Sequence, residues 1–482
     1  MGNNSSNTSA FIALISVFFF WGFVAASNDI LIPVFKEKLN LTQGQAQLIS
    51  LAFYIAYTVG SVIYYIISKI IGEDILNRIG YKNGIALGLV ISACGTLLFI
   101  PAADTVSFPL MISGLFIVAL GFSLQQTAAN PLATQMGDPI KGSQRLSLAG
   151  GVNNVGTTIG PLLLSFAIFG SVTAAGSSSL NIENIKVPYL ILGAAFLVVA
   201  VIIKFSSIPN KIESHAQNTA VKASAHDKKS ALNYPQLVLG MLAIFVYVGV
   251  EVSTASNLPD FMKQHLGTPT DKIAPFISLF WASLMIGRWT SSVGAFDFKG
   301  GTKAILNFVT PYIAFAVFLA VNKIANHDLT PFYIYAFVIV ALIAGDILSK
   351  GNPARQLLLY SLFGITALLI GMLADGMVSV YAFISVGLFC STLWPCIYTL
   401  AIAGLGRHTN EGSSFLIMMI MGGGIISYAQ GVLSADHLLG IQWSYLVGVA
   451  CFAYLAFYAW KVRSILKSQG IDFDNATPSS SH

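Results

Sequence analysis

Two carboxylates in this chain lie where a carboxylate is expensive. Asp29 falls inside the apolar stretch from Phe11 to Phe35, four residues before Pro33, and Glu251 falls inside a second stretch that reaches Pro259. An ionised group in a membrane span costs about 3 kcal/mol or more and is kept where something polar must bind or move. Proline adds a second device, because it removes the backbone donor that would reach the carbonyl four residues earlier and leaves that oxygen free. Four stretches combine such a break with polar side chains: Ser27-Asn28-Asp29 before Pro33, Gln125-Gln126-Thr127 with Asn130 before Pro131, Ser253-Thr254 with Asn257 before Pro259, and Ser391-Thr392 with Trp394 before Pro395. The freed carbonyls are those of Asp29, Thr127, Ala255 and Ser391. Broken helices of this kind build the ion and substrate sites of secondary transporters.

The chemistry on offer divides in two. A hard cation such as sodium wants converging oxygens, here the Asp29 carboxylate, the amide oxygens of Gln126 and Asn153, the hydroxyls of Thr127 or Thr157, and a freed carbonyl. A proton would instead use Asp29 or Glu251. Sugar hydroxyls want amide and carboxylate partners, which Asn28, Gln126, Asn130, Asn153, Asn257 and Glu251 supply, and the apolar face of a pyranose wants an aromatic plate, for which Trp394 or Tyr54 serves. Each residue also has a plainer reading: an interhelical hydrogen bond for the amides, core filling for Trp394, and pairing with a cation of a neighbouring helix for Glu251.

The elements that position these groups follow from composition. Of 482 residues, 55% are hydrophobic and only 9% charged, and the mean hydropathy is +0.74, which excludes a solvated globular surface. At about 20 residues per crossing, polar punctuation predicts about fourteen membrane helices. Six spans, near 10–34, 45–70, 84–102, 108–130, 144–170 and 187–206, form a first bundle over 1–206. A polar, basic loop over 207–235 follows. Eight more spans, near 236–259, 273–294, 304–322, 331–348, 355–374, 378–402, 413–434 and 441–460, occupy a second bundle over 236–463, before a tail over 464–482.

Lys and Arg collect on one side of this arrangement, among them Arg78, Lys82, Lys141, Arg145, Lys303, Lys350, Arg355 and Arg463. The bias places both termini in the cytoplasm of a multi-pass plasma membrane, the inner membrane of a bacterium. The net charge of +5 reflects this topology and requires no nucleic-acid partner. Arg78 and Arg288 are expected at cytoplasmic helix ends, in gating or topology contacts. The first span carries Asp29 and no A-x-A-like cleavage pattern, so it is expected to remain as a span. Cys94, Cys390, Cys396 and Cys451 all fall in spans without metal-like spacing, so neither a disulfide nor a metal site is expected. All seven His are expected in loops or the tail, and no H-E-x-x-H, G-x-S-x-G or P-loop pattern occurs, which argues against a membrane-embedded enzyme.

A weak internal echo accompanies these breaks. Lys141-Gly142-Ser143 and Glu411-Gly412-Ser413 each follow a proline-broken helix and open a glycine-rich one. If spans 304–322 and 331–348 are an insertion, the polar breaks fall on helices 1, 4, 7 and 10 of a twelve-helix core. The inserted pair is expected to pack peripherally, with Asp346 a satisfied interfacial carboxylate.

The runs WGFVAASNDILIP, QTAANP, VNNVGTTIGP, YVGVEVSTASN, IGRWTSS, LWPCIYTLAIAGLG and GSSFLIMMIMGGGII together resemble the fucose permease family of the major facilitator superfamily, and most closely its glucose/galactose transporter branch. The resemblance spans about 11–295 and 376–462. It implies an all-α major facilitator fold, two six-helix bundles around a central cavity, and alternating-access uptake of a hexose or deoxyhexose with a cation. Asp29 matches the family's span-one carboxylate, Asn28 and Asn130 match polar cavity positions, and Asn153 matches the Asn of the span-five motif. Two positions depart. Gln126 stands where proton-coupled fucose permeases have Glu, and Gly150 stands where the family commonly has Gln.

Gln126 cannot titrate, which tilts the coupling ion from proton toward sodium. A membrane potential of 100 mV supplies about 2.3 kcal/mol per charge, enough for about fifty-fold accumulation with one cation. The expectation is therefore a monomeric, sodium-coupled hexose symporter with no cofactor, whose partners are the sugar, the cation and the bilayer. The alternatives are a proton-coupled symporter of fucose or N-acetylglucosamine, and a sugar sensor on the same scaffold.

Overall fold

The computed structural model describes residues 10–24, 43–169, 186–210, 230–269, 272–296, 298 and 300–474. Asn28, Asp29 and Pro33 lie outside the described residues. What is described is helical, with no strand among the described residues. Eleven helices among them are long and apolar enough to cross a membrane.

In chain order the long helices are α1 (Ala10–Val24), α2 (Gln43–Ile71), α3 (Tyr81–Leu97), α4 (Phe108–Gln135), α5 (Gly142–Phe169) and α6 (Lys186–Phe205). After the loop come α7 (Pro235–Leu266), α8 (Ala274–Ser292), α9 (Gly300–Ile324), α10 (Tyr335–Ser349) and α11 (Pro353–Leu373). The remainder are α12 (Gly376–Cys390), α13 (Leu393–Ile402), α14 (Thr409–Met418), α15 (Gly422–Leu433) and α16 (Leu446–Ser468).

Span ends depart from expectation at two prolines. The stretches expected to stop near 130 and 259 run through Pro131 to Gln135 and through Pro259 to Leu266. A proline inside a membrane helix is tolerated when a neighbour satisfies the freed carbonyl, and one such neighbour is described below. At Pro395 the helix does break, since α12 ends at Cys390 and α13 starts at Leu393. His265 lies in the last turn of α7 rather than in a loop.

Two compact units divide the chain. The first takes Met1–Met136, Val152–Glu213 and Ser413–Met418; the second takes Gly137–Gly151, Ser214–Gly412 and Met419–His482. The two exchanged segments are those marked by the sequence echo: Lys141-Gly142-Ser143 lies in one, and Glu411-Gly412 runs directly into the other.

Glycine sets the packing distance in the first unit. A Cβ at Gly22 of α1 would lie 1.9 Å from the Asn153 carbonyl oxygen, and one at Gly156 of α5 would lie 2.2 Å from that of Phe19. The backbones of α1 and α5 therefore touch, as small residues permit in membranes. Gly88 and Gly121 do the same for α3 and α4. In the second unit Gly422 meets the Phe245 carbonyl, bringing α15 against α7.

Candidate functional site

In the first unit the amides of α4 reach aromatic partners. Gln126, half-buried, donates from Nε2 to the Tyr57 hydroxyl of α2 at 3.1 Å. Its fully buried neighbour Gln125 accepts from Trp21 Nε1 of α1 at 2.7 Å and donates to Ser92 Oγ of α3 at 3.0 Å. Consecutive residues on a helix point about 100° apart, so one glutamine closes a buried network while the other stays partly accessible. Asn153 donates from Nδ2 to the Phe18 carbonyl at 3.0 Å. Asn130 is buried, and its Nδ2 has no hydrogen-bond partner among the described residues.

Two of the expected cation ligands make hydrogen bonds within their own helices. Thr127 Oγ1 donates to the Ser123 carbonyl at 2.8 Å, and Thr157 Oγ1 donates to the Asn154 carbonyl at 2.8 Å, so both hydroxyls fold back on their own helices. The Thr127 carbonyl freed by Pro131 accepts from Ser413 Oγ at 3.1 Å. A side-chain hydroxyl thus replaces the missing backbone donor, and that oxygen serves the fold.

In the second unit Tyr247 donates its hydroxyl to Glu251 one turn along α7. Arg288 of α8 is the nearby opposite charge, and Glu251 makes no direct ion pair with it among the described residues. Arg288 Nε donates to the Ser391 carbonyl at 3.0 Å, the oxygen freed by Pro395. The oxygen that the proline leaves without its backbone donor is thus satisfied by a guanidinium, which suits this work because it stays charged and presents several donors. Arg288 also approaches Gly150, with Nη1 at 3.5 Å from its carbonyl, and a Cβ at Gly150 would come within 3.1 Å of Arg288 Cδ. The departure at position 150 thus makes room for an arginine.

Trp394 is half-buried, with its ring centroid 6.4 Å from that of Tyr247 and 6.3 Å from that of Tyr398. The structure gathers Glu251, Tyr247 and Trp394 into one group. Asn257 is buried and donates to the Ser253 carbonyl at 2.8 Å, a helix-internal bond that stands apart from it. Tyr54 packs beside Phe53, centroids 6.3 Å apart. Sequence reasoning missed Tyr57, Trp21, Tyr247 and the depth of Arg288. Tyr247 could have been found, since it lies four residues before Glu251 on one helix face.

In the second unit a phenol, a carboxylate and an indole side by side are functional groups that recognise a polyol with an apolar face. Comparison with known proteins agrees with that chemistry. A family model described as Major Facilitator Superfamily matches residues 10–345, and the chain belongs to that superfamily. It is 33% identical over 458 residues to a glucose/galactose transporter of Brucella abortus, covering 93% of each chain. It is 28% identical over 476 residues to the L-fucose-proton symporter of Escherichia coli, covering 95% of this chain and 94% of that one. A crystal structure of the Escherichia coli fucose:proton symporter superposes with a TM-score of 0.71 at 26% identity, over 95% of this chain and 99% of the other. The chain is accordingly a multi-pass membrane protein with an all-helical major facilitator fold, of the sugar-transporter type.

Proposed function

We propose that this protein is a secondary active transporter that takes up a hexose of the glucose/galactose class together with a monovalent cation, by alternating access. The observation that carries this reading is the Glu251–Tyr247–Trp394 group, which puts a carboxylate, a phenol and a half-buried indole within one region of a sugar-transporter fold. The near full-length relation to a protein named glucose/galactose transporter supports the same substrate class. Asp29 is the coupling residue in this proposal. Asn28, Gln126, Asn130, Asn153, Glu251 and Asn257 serve sugar hydroxyls, and Trp394 serves the apolar face. The helices form a twelve-helix core of two bundles, 1–206 and 236–463, with α9 and α10 inserted as an additional pair and both termini cytoplasmic. The working unit is a monomer.

On the ion, Gln126 carries the argument for sodium: an amide holds no proton to give up, and its oxygen is a ligand for a hard cation. Gln126, Asn153, Thr127 and Thr157 are the proposed companions of Asp29, since a threonine hydroxyl that donates its hydrogen to a helix carbonyl keeps its oxygen lone pairs for a cation. A second reading, proton coupling through Asp29 or Glu251, is favoured by the relatives named L-fucose-proton symporter.

The deciding experiment is counterflow and gradient-driven uptake in proteoliposomes with a panel of labelled hexoses, with sodium omitted or an uncoupler added. Sodium-dependent, uncoupler-resistant accumulation of glucose or galactose supports the first reading. Uncoupler-sensitive accumulation without sodium transfers the role to protons. Binding without accumulation would mean a sensor, and accumulation unimpaired in Asp29→Asn would remove Asp29 from coupling.

A further inference from the structure

A cavity of about 570 Å³ lies in the second unit, away from the groups above, lined by α8, α9, α10 and α11 together with Gln144 of α5. Two lysines reach it, Lys303 from the first turn of α9 and Lys350 just past the end of α10. Among the described residues neither ammonium has a hydrogen bond or an ion pair within contact distance. One acid among the described residues faces them, Asp346, which accepts from Gln356 Nε2 at 3.3 Å. The described side chains lining the cavity therefore carry one net positive charge.

Two amides at this cavity lack partners among the described residues. Gln144 is 9% exposed and makes no hydrogen bond there, although its Nε2 lies close enough to Gly294 and Gly351 that a Cβ at either would fall within 2.7 Å. Asn307 Oδ1 is buried and equally unpaired. Buried polar atoms are rarely left unsatisfied in a finished fold, and a cavity lined by them is one that a polar ligand completes. The opposite wall is apolar: Phe308 and Ile347 are 56% and 59% exposed, on helices long and apolar enough to cross a bilayer.

We propose that this cavity binds the phosphodiester headgroup of an anionic phospholipid, with Lys303 and Lys350 on the phosphate, Gln144 and Asn307 on the headgroup hydroxyls, and an acyl chain over Phe308 and Ile347. A single net positive charge matches a singly charged phosphodiester. The basic bias of the sequence puts Lys303 and Lys350 at the cytoplasmic side, where basic pockets between helices meet anionic lipid. The shared chemistry is a phosphate oxyanion, and the apolar wall selects a lipid over a soluble phosphate. The inference is independent of the transported sugar and of its coupling ion.

The test is native mass spectrometry of the delipidated full-length protein, titrated separately with phosphatidylglycerol, phosphatidylcholine and soluble glycerol 1-phosphate. Phosphatidylglycerol should bind about tenfold or more tightly than phosphatidylcholine, and each of Lys303→Gln and Lys350→Gln should weaken it about fivefold. Asp346→Asn removes the one acid and should tighten it several-fold, a gain that a misfolded variant cannot imitate. Lys323→Gln, at the other end of α9, should change nothing. Equal affinity for the two lipids, an unchanged affinity in the double lysine variant, or glycerol 1-phosphate binding in place of the lipid would each overturn the proposal.

Discussion

Replacing Ser413 by Ala should destabilise the first unit, and replacing Pro131 by Ala in the same chain should give much of the loss back. The hydroxyl of Ser413 is the side-chain donor on the Thr127 carbonyl, at 3.1 Å, and Thr127 is 1% exposed. Removing the donor strands a buried acceptor, which costs about 1–3 kcal/mol in a soluble core and about 0.6–1.7 kcal/mol across membrane helices, so about 1 kcal/mol is expected. α4 is helical on both sides of Pro131, so the Pro131→Ala change would place an N–H where the regular ladder needs it, four residues after Thr127. That change alone should be near neutral, because Ser413 already holds the oxygen. The double-mutant cycle should therefore return a coupling of about 1 kcal/mol, read as the midpoint of reversible SDS unfolding in mixed micelles. Strict additivity of the two substitutions would refute the reasoning, since it would mean that the serine and the missing backbone donor do not compete for one carbonyl.

Three further outcomes follow from the geometry. Gln126→Glu should shift uptake from sodium toward proton dependence, read as uptake against external pH at fixed sodium; an unchanged sodium dependence would count against the ion assignment. Trp394→Ala should remove about 1 kcal/mol of sugar binding, a roughly fivefold rise in KM with little change in turnover; an unaltered KM would make the indole a packing residue. Asp474 is held by Arg463 Nη2 at 2.6 Å and by Arg355 at 3.0 Å, and the Arg463 hydrogen bond, followed by the charges of Arg463 and Arg355, draws its carboxyl below the usual range. A depressed folded-state pKa stabilises above the unfolded value, near 4, and that stability fades as pH falls through the folded one. Asp474→Asn should therefore lower the midpoint at pH 7 by the equivalent of about 1 kcal/mol or less and leave it unchanged near pH 2; an equal loss at both would rule out a charge effect.

The membrane helices were legible because a crossing needs a long apolar run, and neither Gly300–Ile324 nor Thr330–Ser349 could be mistaken for a loop. The freed carbonyls of Thr127 and Ser391 were legible too, since a proline's missing donor is a local fact. Their donors were not. Ser413 lies 286 residues from Thr127 and Arg288 lies 103 from Ser391, so the pairing depends on which helices pack together. The same reason hid Tyr57 behind Gln126, 69 residues away. Arg288 was not named as the charge near Glu251, because it sits one turn from the end of α8, where a lone sequence suggests an aqueous boundary. Asp29, on which the coupling argument rests, lies outside the described residues.

The glycine seam between α1 and α5 separates what can be redesigned from what cannot. With backbone pressed on backbone at Gly22 and Gly156, even a methyl group has nowhere to go, so a saturation library should find these silent positions among the least forgiving in the chain. The amides and rings proposed to read the sugar stand on side chains, which have alternatives. Breeding a variant for a different carbohydrate can thus proceed by editing the readers while the frame that carries them is left untouched.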